Sequence, residues 1–545
     1  MKQLSPCLLA GALFFGALEA NNILFLANQG RHEEACSLLK GEKCSDDRLI
    51  EETALAILRH GVEAKDKDEA LLALFGASIA VNEKAELLIE KACRNSNPEI
   101  QLAALSMMAR SKSDSSLAYL NQALGAPHPL IRLEVAFLIA ERKAPGASIK
   151  IESLMHKFPK EVHFLFPRLF AMVGDEEAKR NLRRLLSHPD EKVRTEAILA
   201  IGKTGRDDLG REIRRALTHP DAGSKEAAAV SAKLLKDEEA IPLLEKLQNH
   251  PSTNVRVAAL SALRTLNRPQ ATHSLEEIAI TGNIFAINEL SDSPQSKPVL
   301  ATLLKHPDKT VRANATLALL KLKDDRALLG LKEILIKDRR DIGYIPAFSS
   351  TGALTAIKAI PSARENLAEG PALFELSLLT REQALEGTIN LSDEAFYTVA
   401  ETVLREGQND LIPLLMSLLE AKGKASLPLL RKAEQMTGAP YIRNWAALTL
   451  FKLREDGYQE KLKTWLKQEA KMDLVKFRPF VPWEMRKGTP YDINPNEKAS
   501  LWIAILEGLI QDNPDNAVDF LIELIAQGSG NNRYVFAGIL LRSIQ

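Results

Sequence analysis

The stretch LLSHPDEKVRTEAILAIG, residues 185–202, decides the fold of this chain. Pro189 cannot continue the helix before it, and Asp190 is a good N-cap for the helix after it. In that second helix Val193 and Ala197 lie four residues apart and therefore share one face. The stretch predicts a helical hairpin whose second helix turns small and apolar residues inward, where neighbouring helices can approach closely.

The same pattern is repeated along the chain. LTHPDAGSKEAAAVSA at 217–232 and LQNHPSTNVRVAALSAL at 247–263 are further copies, and LLKHPDKTVRANATLALLKL at 303–322 follows after an irregular interval. A constant spacing over six copies predicts an array of stacked hairpins rather than a single core. The position of Arg194 recurs every 31 residues and is held by Gln101, Arg132, His163, Arg194, Lys225 and Arg256.

The recurrent signature, a His-Pro turn followed by a Val-Arg pair, resembles the HEAT repeats, in particular the short HEAT-like repeats of bilin lyases. The resemblance covers residues 63–325 and implies an all-α fold, a right-handed α-α superhelix of HEAT-like hairpins with a period of 31 residues. It implies little about activity, because scaffolds, adaptors and a few enzymes share this repeat. The matching residues are His188-Pro189-Asp190 with Val193-Arg194, His250-Pro251 with Val255-Arg256, and His306-Pro307-Asp308 with Val311-Arg312.

The charge balance argues against a nucleic-acid partner. The chain has 545 residues, with 71 Lys plus Arg against 71 Asp plus Glu, and so carries no net charge. No long basic run supplies the electrostatic footprint that nucleic-acid binding requires. The length exceeds what one hydrophobic core usually organises, which again favours a repeat array.

Residues 1–20 are predicted to be a cleaved signal peptide. Lys2 supplies a short positive region, an apolar stretch runs from Leu8 to Leu18, and Ala20 is small enough to precede a cleavage site. The apolar stretch is shorter than the roughly 20 residues of a membrane span, so no integral span is expected after cleavage. We therefore expect export to the periplasm or cell envelope of a bacterium, and association with the envelope stays open. The alternative is a cytoplasmic protein with an uncleaved N-terminal helix.

The repeat rhythm divides the remaining chain into six segments. The first and last match the repeat poorly, as expected where the outer face of a terminal repeat meets water. The predicted segments are an N-terminal helical cap at 21–62, a HEAT-like repeat array at 63–330, an irregular bend or loop at 331–370, a second helical repeat array at 371–470, an aromatic and basic loop at 471–498, and a C-terminal helical cap at 499–545.

Three cysteines remain if the signal is removed: Cys36, Cys44 and Cys93. Cys36 and Cys44 could close a short loop at the first hairpin, and export would permit this disulfide. Two free, partly buried thiols are the open alternative. The cysteines show no zinc-site spacing, and we expect no metal.

The His and Arg residues of the repeats have both structural and functional interpretations. Successive hairpins stack at roughly 8–10 Å, whereas zinc ligands lie at about 2 Å from one ion, so the histidines are predicted to form or cap turns. The arginines either line a groove as an anion-binding series or, as we expect, reach a turn Asp in their own or the next repeat. This predicted structural ladder comprises Arg132, Asp190, Arg194, Asp221, Arg256, Asp308 and Arg312.

The sequence contains no G-x-S-x-G elbow, P-loop, Rossmann fingerprint or H-E-x-x-H pattern. We therefore predict neither catalytic residues nor a cofactor. The segment 476–498 instead combines aromatic and cationic residues, including types enriched at interface hot spots. It either binds a partner or folds back to seal the end of the array. The candidate partner-binding residues are Arg478, Phe480, Trp483, Arg486 and Tyr491.

The sequence favours a non-catalytic protein-binding scaffold or adaptor in the bacterial envelope, because stacked hairpins offer a long surface without an active site. Two alternatives stay open. One is a bilin-lyase-like or chaperone-like protein that handles a small ligand or client, and the other is a cytosolic adaptor with an uncleaved N-terminus. Lyase activity is implied only by distant family resemblance and would require a tetrapyrrole pocket.

Overall fold

The computed structural model describes residues 20–41, 46–109, 114–336, 343–360, 370–469, 497–528 and 530–544. Helices dominate these residues, and their strands form one two-stranded antiparallel sheet. The predicted all-α helical repeat fold is thereby confirmed. The chain divides into two compact units, which we call the terminal unit, residues 1–139 with 430–545, and the central unit, residues 140–429.

Most helices are short, as the 31-residue period requires. Before the sheet they are α1 (20–28), α2 (His32–Gly41), α3 (Asp47–Val62), α4 (Lys67–Ile79), α5 (Glu83–Ala92), α6 (Pro98–Met108), α7 (Asp114–Ala123), α8 (Pro129–Glu141), α9 (Ala147–Met155), α10 (Phe166–Val173), α11 (Glu176–Leu185), α12 (Glu191–Lys203), α13 (Gly210–Ala216), α14 (Ala222–Leu235), α15 (Ile241–Leu247), α16 (Thr253–Thr265), α17 (Gln270–Ile280), α18 (Ile284–Glu289), α19 (Lys297–Leu303), α20 (Lys309–Lys321) and α21 (Leu328–Leu335). The strands are β1 (Gly343–Phe348) and β2 (Thr355–Ile360). After them come α22 (Gly370–Gly387), α23 (Asp393–Arg405), α24 (Ile412–Ala421), α25 (Leu427–Glu434), α26 (Pro440–Lys452), α27 (Tyr458–Glu469), α28 (Glu497–Asp512), α29 (Pro514–Gln527) and α30 (Asn532–Ser543).

Small residues hold the central unit together. Its second helices α12, α14, α16, α18 and α20 pack against one another in chain order. A Cβ atom on Gly202 would lie 2.7 Å from the Cα atom of Ser231, so α12 and α14 approach as closely as their backbones allow. The Ser231 hydroxyl donates to the carbonyl oxygen of Ile198 at 2.8 Å across the same contact. These contacts form a continuous layer of second helices.

The irregular interval in the sequence corresponds to a short second helix. Asn283 caps α18 by accepting the N–H of Ala286 at 2.9 Å, and the helix then spans six residues. Two short 3-10 helices, Leu290–Asp292 and Pro294–Ser296, complete this repeat. The shortened repeat therefore keeps its place in the layer with about half the usual helix length.

A β-hairpin occupies part of the segment 331–370, where the sequence predicted an irregular bend or loop. β1 and β2 pair antiparallel from Gly343 opposite Ile360 to Phe348 opposite Thr355. A tight turn joins them, in which the N–H of Ser349 donates to the carbonyl of Leu354 at 3.0 Å. The Gly, Pro and Ser residues suggested a loop, whereas three of the six residues of β2, namely Thr355, Ile357 and Ile360, are β-branched and fit a strand.

The terminal unit joins the two ends of the described chain. α30 packs against α3 and α4, and α29 packs against α2. A Cβ atom on Gly538 of α30 would lie 2.2 Å from the carbonyl oxygen of Gly76 in α4. Tyr534 is fully buried at this contact and donates its hydroxyl to Glu69. The segments predicted as two terminal caps, 21–62 and 499–545, thus lie in one unit.

Some predictions fall on residues outside the described ranges. Nearly all of the predicted signal peptide, residues 1–19, and most of the aromatic and basic loop, residues 471–496, belong to this group. Within the described ranges, none of the helices combines the length and hydropathy that crossing a bilayer requires.

Candidate functional site

The arginine of each second helix closes the turn of its own repeat. Arg194 donates from Nη1 to the carbonyl oxygens of His188 and Pro189, at 2.6 and 2.8 Å. Its Nη2 donates to Asp221 of the next repeat at 3.0 Å and so joins two repeats. Protein acceptors therefore occupy both terminal nitrogens of this guanidinium group. Equivalent pairs of bonds to the carbonyls six and five residues earlier, at 2.8 to 3.2 Å, are made by Arg132, Arg256 and Arg312.

The turn aspartates act as N-caps. Asp190, Asp221 and Asp308 each accept a backbone N–H from the first turn of the following helix, at 2.6 to 2.8 Å. Burial disfavours the charged form of Asp221, but hydrogen bonds from Ser224 and Arg194 outweigh burial and lower its pKa. Of the predicted ladder, the structure brings Arg194 and Asp221 together, while Asp190 and Asp308 cap their own helices.

The histidines before proline also serve the turns. In four of the five, Nδ1 lies 3.1 to 3.3 Å from the backbone N–H two residues later and accepts it. Burial, with Lys225 and Arg256 nearby, lowers the pKa of His250 and favours its neutral form. Among the described residues, no group of His, Cys, Asp and Glu is placed to hold a metal ion. The histidines that make this bond are His188, His219, His250 and His306.

Two other predicted sites depend on residues outside the described ranges. Cys36 is buried, and burial raises the pKa of its thiol to about 12, whereas Cys44 lies outside the description. The disulfide therefore stays a prediction. The candidate partner-binding residues also lie outside it: Arg478, Phe480, Trp483, Arg486 and Tyr491.

The most specific chemistry on the layer of second helices is the contact between α20 and β2. The Asn314 amide donates to the carbonyl oxygen of Ile357 at 2.7 Å and accepts the N–H of the same residue at 3.0 Å. Thr310, one helical turn earlier, accepts the N–H of Ala359 at 3.3 Å. Asn314 is 3% exposed, so both of its bonds are shielded from water. The α20 side chains thus bind a strand through its backbone.

The same strand contacts two further second helices. Asn288 of α18 donates to the carbonyl oxygen of Thr355 at 2.9 Å. At the hairpin turn, the Thr351 hydroxyl donates to Glu226 of α14 at 2.6 Å. Glu226 is 3% exposed, and this bond satisfies part of a buried carboxylate. The hairpin therefore lies across α14, α18 and α20, with β2 running in the order of the repeats.

A turn arginine links this surface to the repeat turns. Arg312 donates to Glu333 of α21 at 2.7 and 3.1 Å, and the Tyr344 hydroxyl of β1 bonds to the same carboxylate. Burial opposes ionisation of Glu333, but the bonds from Arg312 and Tyr344 prevail and lower its pKa. Burial, reinforced by Glu333, raises the pKa of Tyr344. One arginine of the ladder thus helps to position the hairpin.

We name the side chains of Glu226, Asn288, Thr310 and Asn314 the strand-binding set. Sequence reasoning missed this set because each residue stands among ordinary repeat positions. Asn314 carried a usable signal, since it is an amide two residues after Arg312 in an otherwise small and apolar helix face. A polar residue at an inward position requires a hydrogen-bond partner, and this requirement could have singled out Asn314 as a candidate site residue.

A comparison with protein families agrees with the repeat architecture over part of the chain. A family model described as HEAT repeats matches residues 282–343, which include α18 to α21. No curated protein matches the sequence. Similar solved structures include the complex of CpcE and CpcF of phycocyanin lyase from Nostoc, at 17% identity over 39% of this chain and 92% of that chain with a TM-score of 0.30. Others are Kap95p bound to RanGDP, at 12% identity over 91% and 80% with a TM-score of 0.35, and human deoxyhypusine hydroxylase, at 16% identity over 45% and 98% with a TM-score of 0.22.

These likenesses concern the fold alone, and none of the three proteins' activities follows from them. The stronger finding is local, because the HEAT match contains the His306 turn, Arg312 and the second helix α20. The same turn geometry recurs at Arg132, Arg194 and Arg256. Residues 282–343 therefore match HEAT repeats, as the sequence predicted, and the same turn geometry is repeated in the hairpins before them.

Proposed function

We propose that this chain is a non-catalytic scaffold that binds protein partners on the layer of second helices. The observation that carries the proposal is the pair of hydrogen bonds from Asn314 to the backbone of Ile357. A side chain that satisfies both polar groups of a strand residue recognises polypeptide rather than a particular small molecule. The described turn arginines and histidines serve the repeats and leave this layer as the chemically specific surface.

The experiment is crosslinking in the native cell, followed by mass spectrometry and by titration of the purified chain with each captured protein. We expect saturable binding that weakens at least tenfold with Asn314→Leu. Asn249→Leu is the matched control, because Asn249 is exposed in the turn between α15 and α16. Turnover of a substrate by the purified chain, dependent on a defined residue, would contradict the non-catalytic part of the proposal.

The aromatic and basic loop is a second proposed contact. Its candidates, Arg478 to Tyr491, combine ring and guanidinium groups of the kind found at hot spots. In the same crosslinking experiment, Trp483→Ala is expected to remove some partners. An unchanged set of partners would favour the interpretation that the loop seals the end of the array.

Export to the periplasm or envelope belongs to the proposal as well. It is supported by the apolar stretch from Leu8 to Leu18 with Lys2 before it. N-terminal sequencing of the mature chain is expected to give a start near residue 21. A start at Met1 would favour the cytosolic adaptor.

A lyase-like or ligand-handling role is the competing proposal. It is supported only by the repeat type shared with bilin lyases. Absorbance of a bound pigment after purification from the native cell would favour it over the scaffold. Its test is therefore independent of the crosslinking experiment.

A further inference from the structure

The outer edge of β2 is bound by side chains where another strand would normally pair. In an antiparallel pair, alternate residues direct both backbone polar groups away from the partner strand. In β2 the outward groups include those of Thr355, Ile357 and Ala359, and they meet Asn288, Asn314 and Thr310. The second helices α18 and α20 thus present two amides and a hydroxyl where a neighbouring strand would pair.

We propose that the hairpin β1–β2 is an internal occupant of a polypeptide-binding site formed by the strand-binding set, and that an extended segment of a partner displaces it. This inference rests on the proposed scaffold function and specifies its site. The occupant to which we commit is an extended peptide that takes the place of β2 on α14, α18 and α20.

Backbone recognition explains why a foreign segment fits. The four bonds from α18 and α20 to β2 all end on backbone atoms of the strand. Any extended segment offers the same N–H and C=O groups at the same spacing of about 3.3 Å per residue. Ala356 and Ile357 are both buried, with 8% of each residue exposed. The partner's side chains at these two positions must therefore fit the same enclosed spaces. The site therefore selects small or β-branched residues there.

Glu226 adds a requirement for a hydrogen-bond donor at one end of the site. Its carboxylate is 3% exposed and accepts the Thr351 hydroxyl at 2.6 Å. Departure of the hairpin removes that donor, and an unpaired buried carboxylate is costly. A partner segment with Ser, Thr or Lys at this end replaces the donor. The expected partner is thus an extended segment with a hydroxyl or ammonium group about five residues before its small or β-branched pair.

The hairpin's own stability makes exchange feasible. An isolated two-stranded hairpin is marginally stable in water, so β1 and β2 depend on the surfaces around them. Because it belongs to the same chain, the hairpin nevertheless has a high effective concentration at the site. A free peptide must compete with this tethered strand, and its apparent affinity falls with the fraction of open sites.

The probe is a fluorescein-labelled peptide with the sequence TGALTAIKAI, residues 351–360, titrated into the full chain and followed by anisotropy. The variant that opens the site is Ile357→Asp, which places a carboxylate at a buried position of β2. Its matched control is Lys358→Asp, because Lys358 is exposed on the same strand. We expect the peptide to bind Ile357→Asp at least tenfold more tightly than Lys358→Asp.

Two further changes test the recognition itself. Adding Asn314→Leu to Ile357→Asp is expected to abolish peptide binding, and so is N-methylation of the peptide at the isoleucine equivalent to Ile357. Equal affinity for the open and control variants would overturn the proposal. Tight binding that survives both Asn314→Leu and N-methylation would also overturn it.

Hydrogen exchange keeps the test independent of whether Ile357→Asp folds. In the unaltered chain, excess peptide is expected to speed exchange at the amides of Ile357 and Ala359 while leaving the middle of α20 unchanged. If these amides exchange only when the whole protein unfolds, the hairpin does not leave the site, and the proposal is overturned. If captured partners bind Asn314→Leu as tightly as the unaltered chain, this site is wrong while the scaffold function stands.

Discussion

The hairpin contact in the central unit and the α30 contact in the terminal unit hold their partners by different means. The hairpin is held by hydrogen bonds from side chains of the layer to strand backbone. The α30 contact depends on fit, because Gly538 and Gly76 leave no room for a Cβ atom between them. A contact that depends on close packing requires one complementary surface, whereas hydrogen bonds to backbone atoms can be made to segments of many different sequences. The first type is suited to permanent structure and the second to exchange.

The largest loss of stability is expected from a substitution at Gly538, where α30 packs most closely against α4. Gly538→Ala would place a methyl group 2.2 Å from the carbonyl oxygen of Gly76, in a contact of two backbones that cannot shift cheaply. We expect a loss of about 3 kcal/mol in the free energy of unfolding, measured with chemical denaturant. Gly125→Ala is the matched control, since its nearest atom would lie 3.5 Å away. Equal stability of the two variants would mean that α30 does not pack as described.

The terminal unit is also expected to weaken in acid through His32. Burial, together with Arg533 and His60, lowers the pKa of His32 from 6.5 to about 4, so the folded state disfavours its protonation. The unfolded chain therefore binds more protons between these values, and stability present above pH 6.5 is lost as the pH falls toward 4. The loss is about 3 kcal/mol at most.

Denaturant titrations between pH 7.5 and 4 measure this slope. His32→Gln removes the titrating group and should flatten the slope relative to the unaltered chain. Parallel slopes for the two proteins would assign the acid sensitivity to other groups.

A smaller effect is expected at the hairpin. Asn314→Leu leaves the N–H and carbonyl of Ile357 without their partner, at a cost of about 2 kcal/mol. The loss should appear as faster amide exchange in β2 rather than in α12 or α14. Asn249→Leu, at an exposed site, should change stability by less than about 0.5 kcal/mol. Equal protection of β2 in both variants would contradict backbone recognition by Asn314.

The smallest effect is expected in the turns. Arg194→Met keeps most of the aliphatic stem and removes the hydrogen bonds to His188, Pro189 and Asp221. We expect the free energy of unfolding, measured by thermal unfolding, to fall by about 1 kcal/mol. Arg211→Met is the control, because Arg211 is exposed. A neutral Arg194→Met would mean that the turns close without the arginine.

Local patterns predicted the fold well and the candidate site poorly. The Pro189 turn, the Asp190 cap and the inward Ala197 can be inferred within one repeat, since each depends on residues a few positions away. The pairing of Asn314 with Ile357 spans 43 residues, and that of Glu226 with Thr351 spans 125. A lone amide or carboxylate does not reveal so distant a partner. The α30 contact is more distant still, since Tyr534 and Glu69 lie 465 residues apart, and its glycines looked like ordinary helix residues.

The contact between Gly76 and Gly538 also sets an order of events during synthesis. A ribosome adds about 5–20 residues each second, so α30 follows α4 by tens of seconds. Through that interval α3 and α4 lack one of their packing partners, and the whole of the central unit is synthesised before α30. The terminal unit is thus the last part of the chain to mature, and the faces of α3 and α4 that α30 covers stay exposed until synthesis ends.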